Sequence, residues 1–308
     1  MSNRSGARIL FLGTPEFAAG ILQKLLDEKA NVVGVVTAPD KPAGRGLQVQ
    51  TSAVRQLAEK HKLEIFQPEK LKSPDFLAEI KELKPDLGVV VAFRMMPEAL
   101  WSLPKMGTIN LHASLLPSYR GAAPINRVIM EGETKSGLST FLLKQEIDTG
   151  DLLMQEEMEI GENETAGSLY NRMMIQGADL MWKTIQGLTE GNINPIPQDE
   201  SKVSAAPKIY REDCRIIPLK PAAEIHNQIR GLNPYPGAFL EWHGKTYKIH
   251  LSKKSQLVSV PGNEGKLISA EGRLYLACLD EMLEILEIQP EGKRKMTARE
   301  FLAGNKTD

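Results

Sequence analysis

A succession of short apolar runs, separated by stretches of helical length, constrains this chain more than any other feature. The runs are Arg8–Gly13 (RILFLG), Asn31–Thr37 (NVVGVVT), Glu64–Phe66, Asp86–Phe93 (DLGVVVAF) and Gly107–His112 (GTINLH). Three of them are apolar almost throughout instead of alternating, as expected of strands buried on both faces of a parallel sheet. Between them, Thr14 reads as an N-cap with Pro15 at the first position of a helix through Leu26. Further helices are expected around Ser52–His61 and from Ser73 to Leu83, with a turn-rich segment over Ala38–Gly46. Strand and helix in alternation predict an α/β fold with a doubly wound, mainly parallel sheet. Ligands of such sheets collect beyond the carboxyl ends of the strands, where Gly13, Thr37, Phe93 and His112 fall.

Beyond the fifth run the spacing predicts a helix over Ala123–Glu131, strands over Gly137–Leu143 and Leu152–Ile160, and a long amphipathic helix from Thr165 to Leu188. Asn194-Pro195-Ile196-Pro197-Gln198-Asp199 through Ala206-Pro207 has the composition of a linker. A helix over Ala222–Gly231 and five short alternating runs between Ala238 and Ile288 follow, which suggest a small β-barrel of the OB type. The expected domains are 1–193, a linker 194–208, and a C-terminal barrel 209–308. A length of 308 residues allows such a pair to bury ordinary cores without staples.

Composition narrows the classes of function. Cys214 and Cys278 are the only cysteines, which excludes a disulfide framework and a cysteine-based zinc site and fits a reducing compartment. With no leader-like apolar segment and no run approaching about 18 apolar residues, a cytoplasmic location is expected. The net charge of −1 gives no global attraction for nucleic acid, so such a partner needs a local basic patch. Gly13-Thr14-Pro15 is not a dinucleotide fingerprint, since two glycines are missing and Pro15 lacks the N–H a pyrophosphate would use. A G-x-x-x-x-G-K-[ST] phosphate loop is absent as well.

The chemistry gathers between Thr108 and Asp151. Period-2 alternation puts Asn110 and His112 on one face of a strand end, and the loop Ser114-Leu115-Leu116-Pro117 follows directly. Asp148 lies in the turn-forming Asp148-Thr149-Gly150-Asp151. An amide donor, a titratable imidazole and a carboxylate suffice for acyl transfer. Ser114 lacks the G-x-S-x-G elbow of a nucleophile, and a loop role suits it better.

These residues carry a resemblance. Asn110-x-His112, Ser114-Leu115-Leu116-Pro117-x-Tyr119-Arg120-Gly121 and Asp148-Thr149-Gly150-Asp151 resemble the 10-formyltetrahydrofolate-dependent formyltransferases. Phe11-Leu12-Gly13-Thr14-Pro15-Glu16-Phe17, the loop Pro39-Asp40-Lys41-Pro42-Ala43-Gly44-Arg45-Gly46 and Leu286–Met296 are similar to the branch of that family acting on methionyl-tRNA. The resemblance spans nearly the whole chain. It implies a Rossmann-like catalytic domain in which Asn110, His112 and Asp148 are catalytic, with no metal. The formyl group would pass from 10-formyltetrahydrofolate to the α-amino group of methionyl initiator tRNA. Asn110 and His112 would stabilise the oxyanion, Asp148 would accept the amine proton, and His112 would protonate the departing nitrogen.

The resemblance also assigns the donor to Ser114, Leu115, Leu116 and Pro117 and to Phe93, Arg94 and Met95, although a Tyr-Gly pair is usual in the family where Phe93-Arg94 stand. Lys41 and Arg45 would contact the tRNA acceptor stem. Lys245, Lys248, Lys253, Lys254 and Lys293-Arg294-Lys295 would extend the tRNA surface. A monomer is expected. Two rival readings remain open at the level of sequence. One is a formyltransferase acting on a small amine, such as an amino-sugar nucleotide or glycinamide ribonucleotide. The other is an RNA-binding protein that keeps the fold without catalysis.

Overall fold

In a computed structural model describing residues 6–43, 48–305 and 307, the chain forms two compact units. The first comprises 1–120, 137–158 and 171–204, and the second 121–136, 159–170 and 205–308.

The first unit holds β1 (Ile9–Gly13), α1 (Glu16–Asp27), β2 (Val32–Val36), the short β3 (Lys41–Ala43) and β4 (Gln48–Gln50), α2 (Ala53–Lys60) and β5 (Ile65–Phe66). α3 (Pro74–Glu82), β6 (Leu87–Val91), α4 (Glu98–Trp101) and β7 (Thr108–His112) complete the alternating run. Strands β5, β2, β1, β6 and β7 lie side by side in parallel. All five residues of β1 are buried because the strand is covered on both faces. Leu10 and Leu12 pack with Phe76 and Ile80 of α3 on one side, which leaves Ile9 and Phe11, equally buried, for the other. The expectation of a parallel sheet therefore holds, for the reason the apolar runs suggested.

Past β7 the sheet changes direction. After α5 (Pro124–Met130), β8 (Lys135–Leu142) runs antiparallel to β7, and β9 (Leu152–Glu159) stands at the sheet's end. The register pairs His112 with Ser139 and Ile109 with Leu142. The chain therefore leaves β8 near the start of β7, not near His112.

Several local readings shift. Pro15, not Thr14, is the N-cap of α1: its carbonyl accepts from Ala19 N–H at 3.1 Å and no side chain caps the helix. Ser52 does cap α2, accepting from Arg55 N–H at 3.0 Å. The turn-rich segment around residue 40 contains an antiparallel ladder, β3 with β4, pairing Lys41 with Gln50. Lys41 begins that ladder, whereas Arg45 lies outside the described residues.

α6 (Ala166–Thr189) is the long helix, and the second unit adds α7 (Ala222–Gly231) and strands β10 (Ala238–Trp242), β11 (Lys245–Val258), β12 (Leu267–Ala270), β13 (Arg273–Ala277), β14 (Glu281–Pro290) and β15 (Met296–Thr297). A last helix, α8 (Ala298–Gly304), carries a Thr297–Glu300 capping box that the sequence reading passed over. The strands pair in the order β10-β11-β14-β13-β12, with β15 on β14. Ile225 and Ile229 of α7 and Phe301 of α8 bury against Ile249, Leu276 and Ile285 of this antiparallel sheet.

α7 also buries His226, whose Nδ1 lies 2.9 Å from Ser252 Oγ. Burial, and then the Arg230 cation one turn on, push its pKa down to about 4; Lys254 adds to the fall and Glu162 opposes it. The folded state thus binds a proton on His226 less readily than the unfolded chain, whose histidine titrates near 6.5. Stability from this site is present above that pH and is lost as pH falls toward about 4. Urea midpoints should therefore fall over that window in the wild type and fall less in His226→Gln. Equal slopes would remove His226 from the account.

Candidate active site

β7 delivers Asn110 and His112 to one face at its carboxyl end. His112 is buried, with only 6% of its surface accessible. Its Nε2 lies 2.9 Å from the carbonyl oxygen of Tyr119. A carbonyl only accepts, so Nε2 carries the hydrogen and Nδ1 is where the ring gains and loses a proton. Nδ1 faces Asp148 Oδ2 at 3.7 Å. That separation is beyond a direct hydrogen bond. Asn110 brings a second polar group to this end, a buried side-chain oxygen without a hydrogen-bond partner.

The two residues that address the imidazole both sit in the left-handed region, Tyr119 at φ +61° and Asp148 at φ +57°. Aspartate tolerates this better than tyrosine. Such conformations cost on the order of 1–3 kcal/mol each and persist where the surroundings over-determine them. Here the surroundings are specific. Gly150 passes so close to β8 that a Cβ there would run into the Leu142 carbonyl oxygen. Gln198 Nε2 donates to the carbonyls of Asp148 (2.8 Å) and Gly150 (2.7 Å). Ser204 accepts Tyr119 N–H on its Oγ and Arg120 N–H on its carbonyl, each at 2.9 Å.

The loop after β7 is fastened inward. Ser139 Oγ donates to Ser114 O at 2.7 Å and accepts from Leu116 N–H at 3.0 Å, while Gln155 Nε2 donates to Leu116 O at 2.9 Å. Ser114 Oγ donates to Ser118 O at 2.6 Å, which explains its burial and gives it a structural task. Ser114, Leu116 and Pro117 are buried, and Leu115 alone of the four is partly open.

After β6 the positions differ in character. Phe93 is half-buried, Arg94 is exposed, and Met95 keeps 76% of its surface accessible. The Arg94 guanidinium turns to the carbonyls of Pro68 and Glu69 and lies 5.8 Å from the centre of the Phe93 ring. Its charge is therefore engaged by backbone carbonyls. An open cavity of about 550 Å³ is lined in the same unit by Phe66, Pro68, Lys70 and Phe76, and not by the His112–Asp148 pair. No helix of the described residues is long and apolar enough to cross a membrane.

Sequence reasoning singled out Asn110, His112 and Asp148, of which the structure brings His112 and Asp148 within 3.7 Å, but it did not single out Ser139, Gln155, Gln198 and Ser204, which fasten the loops around them. None of these four lies in a periodic pattern that marks a site, and each acts through hydrogen bonds to backbone remote in sequence.

Residues 7–185 match the formyl transferase family model and residues 208–306 match that of the formyl transferase C-terminal domain. A methionyl-tRNA formyltransferase of Flavobacterium psychrophilum is 43% identical over 303 residues, covering 96% of each chain. One of Azobacteroides pseudotrichonymphae is 44% identical over 314 residues, 98% of this chain and 97% of its own. Among solved structures, the N-formyltransferase of Helicobacter canadensis, in complex with folinic acid and dTDP-3-aminofucose, superposes with TM-score 0.69 at 21% identity, covering 94% of this chain and all (100%) of its own. HypX of Aquifex aeolicus, in complex with tetrahydrofolic acid, gives TM-score 0.66 at 18% identity, covering 99% of this chain and 49% of its own; at such identities the likeness speaks for the fold. A fold, a strand-end Asn-x-His and two matched domains thus converge on one conclusion: the chain belongs to the formyltransferase family.

Proposed function

We propose that this protein transfers the formyl group of 10-formyltetrahydrofolate to the α-amino group of methionyl initiator tRNA, as the names of its relatives indicate. The observation that carries the chemical reading is the His112 Nδ1–Asp148 contact at 3.7 Å at the end of the strand that also carries Asn110. The amine attacks the formyl carbon and the carbonyl becomes an oxyanion. Asn110's amide N–H and the protonated ring of His112 stabilise that charge. Asp148 takes the amine proton, directly or through a water, and Nδ1 of His112 supplies the proton with which N10 departs. The C–N10 bond breaks as the new amide forms, so charge and protons balance within the site.

The donor is a co-substrate here, and the residues on hand fit an extended, partly aromatic molecule. Phe93, Met95 and Leu115 supply accessible apolar surface. Ser114, Leu116 and Pro117 hold the loop's shape from beneath, and Arg94 braces the segment through Pro68 and Glu69. For the tRNA, Lys41 and Arg45 are the proposed acceptor-stem contacts. On the second unit Lys245, Lys248, Lys253 and Lys254 of β11 are all exposed. Lys254 lies 3.0 Å from Glu162, and in the 293–295 segment Arg294 and Lys295 lie 2.7 Å from Glu300 and Glu287. Exposed pairs of this kind are weak and screened by water, so phosphate groups can displace the carboxylates. A cytoplasmic monomer with domains 1–193 and 209–308 joined by 194–208 fits this role. The small-amine alternative lacks support among the most similar relatives, which are named for methionyl-tRNA.

The reading is tested with purified protein, 10-formyltetrahydrofolate and charged initiator tRNA. Asn110→Ala should lower kcat by about 10²–10³, and His112→Ala or Asp148→Asn by about 10²–10⁴. Wild-type turnover in both His112→Ala and Asp148→Asn would defeat the mechanism. For the acceptor, Arg45→Ala should raise KM for tRNA and leave folate affinity unchanged. kcat/KM for tRNA should also fall steeply between 50 and 200 mM salt, roughly as ~10-fold or more if several phosphates are neutralised; a flat profile would remove the basic surface from the account.

A further inference from the structure

Pro195 to Ser204 reads in sequence as connecting chain, yet it is stitched to both sides of the imidazole. Ile196 forms a β-bridge with Leu152. Of the described residues 194–205, Gln198 alone is not exposed. All four of its side-chain hydrogen-bond positions are used. Nε2 donates to Asp148 O at 2.8 Å and Gly150 O at 2.7 Å, while Oε1 accepts from Arg120 Nε at 3.2 Å and Nη2 at 2.7 Å. Arg120 is itself held by Glu200, whose carboxyl it keeps below the usual range.

Two carbonyls on either side of Thr149 converging on one NH₂ fix both peptide planes of that turn, and with them the direction in which Asp148 projects. That turn is strained, at φ +57°, and needs an external hold to persist. Gln198 is the side chain that supplies the hold, and through Arg120 it ties the Asp148 turn to the Tyr119–Arg120 turn that engages His112 Nε2.

We infer that Gln198 is a positioning residue for formyl transfer, its side-chain amide setting Asp148 against His112 Nδ1. This rests on the reading of His112 and Asp148 as the reacting pair. It assigns a task in the reaction to a segment that the sequence presents as a linker.

Gln198→Glu is the discriminating variant. It keeps an acceptor for Arg120, strengthening that contact, but turns an oxygen toward the Asp148 and Gly150 carbonyls and so releases the turn. With 10-formyltetrahydrofolate and methionyl initiator tRNA, kcat should fall about 10- to 100-fold while KM for each substrate stays within about twofold, because a misplacement near 1 Å acts on the chemical step. The thermal midpoint should be close to wild type. In single turnovers on an Asp148→Asn background, the same substitution should cost nothing further, since it acts through that carboxylate. Wild-type kcat, a loss confined to KM, or a loss fully additive with Asp148→Asn overturns the inference. Should Gln198→Glu fail to fold, Gln198→Met, which removes the amide without placing a charge beside the carbonyls, faces the same criteria. Full activity in His112→Ala and Asp148→Asn defeats the underlying mechanism instead. Loss in those two with full activity in Gln198→Glu defeats the positioning role alone.

Discussion

Parallel pairing of β5, β2, β1, β6 and β7 is the constraint on which the rest of the first unit depends. Parallel strands end at one edge, so the backbone that follows each strand is delivered to a common place. The segment after β6, with Phe93 to Met95, and the end of β7, with Asn110 and His112, share that edge for this reason alone. Burial of the strands on both faces makes the edge rigid, and rigidity is what lets a 3.7 Å contact between side chains mean something chemically.

The carboxylate arrives by another route. β8 runs antiparallel to β7 and ends opposite Ile109, so its following turn begins at the end of β7 away from His112. The connection 143–151 must climb back along the strand to bring Asp148 beside His112, about three residues or ~10 Å at the strand repeat. A loop on such an excursion has no ladder of its own to hold it. Gly150 allows it to press against the Leu142 carbonyl, and Gln198 fastens it through the Asp148 and Gly150 carbonyls. Left-handed geometry at Asp148 is the visible trace of that fitting.

What could be read from sequence follows from how each feature is encoded. The sheet was legible because burial on two faces leaves continuous apolar runs such as Leu87–Val91. Asn110 and His112 were legible because strand periodicity puts positions two apart on one face. Asp148 was legible as a turn carboxylate, and the family resemblance linked it to the pair. Gln198 and Ser204 were not, because a side chain that bonds distant carbonyls and amides leaves no periodicity behind. The same holds for Arg94, whose partners at Pro68 and Glu69 come from another strand's exit. The cap of α1 moved to Pro15 because which carbonyl starts a helix is decided by backbone geometry, which Thr14 as a residue type does not specify. α8 escaped notice because it is a short helix whose burial rests largely on one residue, Phe301.

The hold on Asp148 comes from a neutral amide. Gln198 neither titrates nor is screened by ions, and it is shielded where the residues around it in sequence are exposed. The direction of the Asp148 turn is thus set by an amide that keeps one charge state at every pH, although Arg120, which holds that amide, is itself paired with the exposed Glu200.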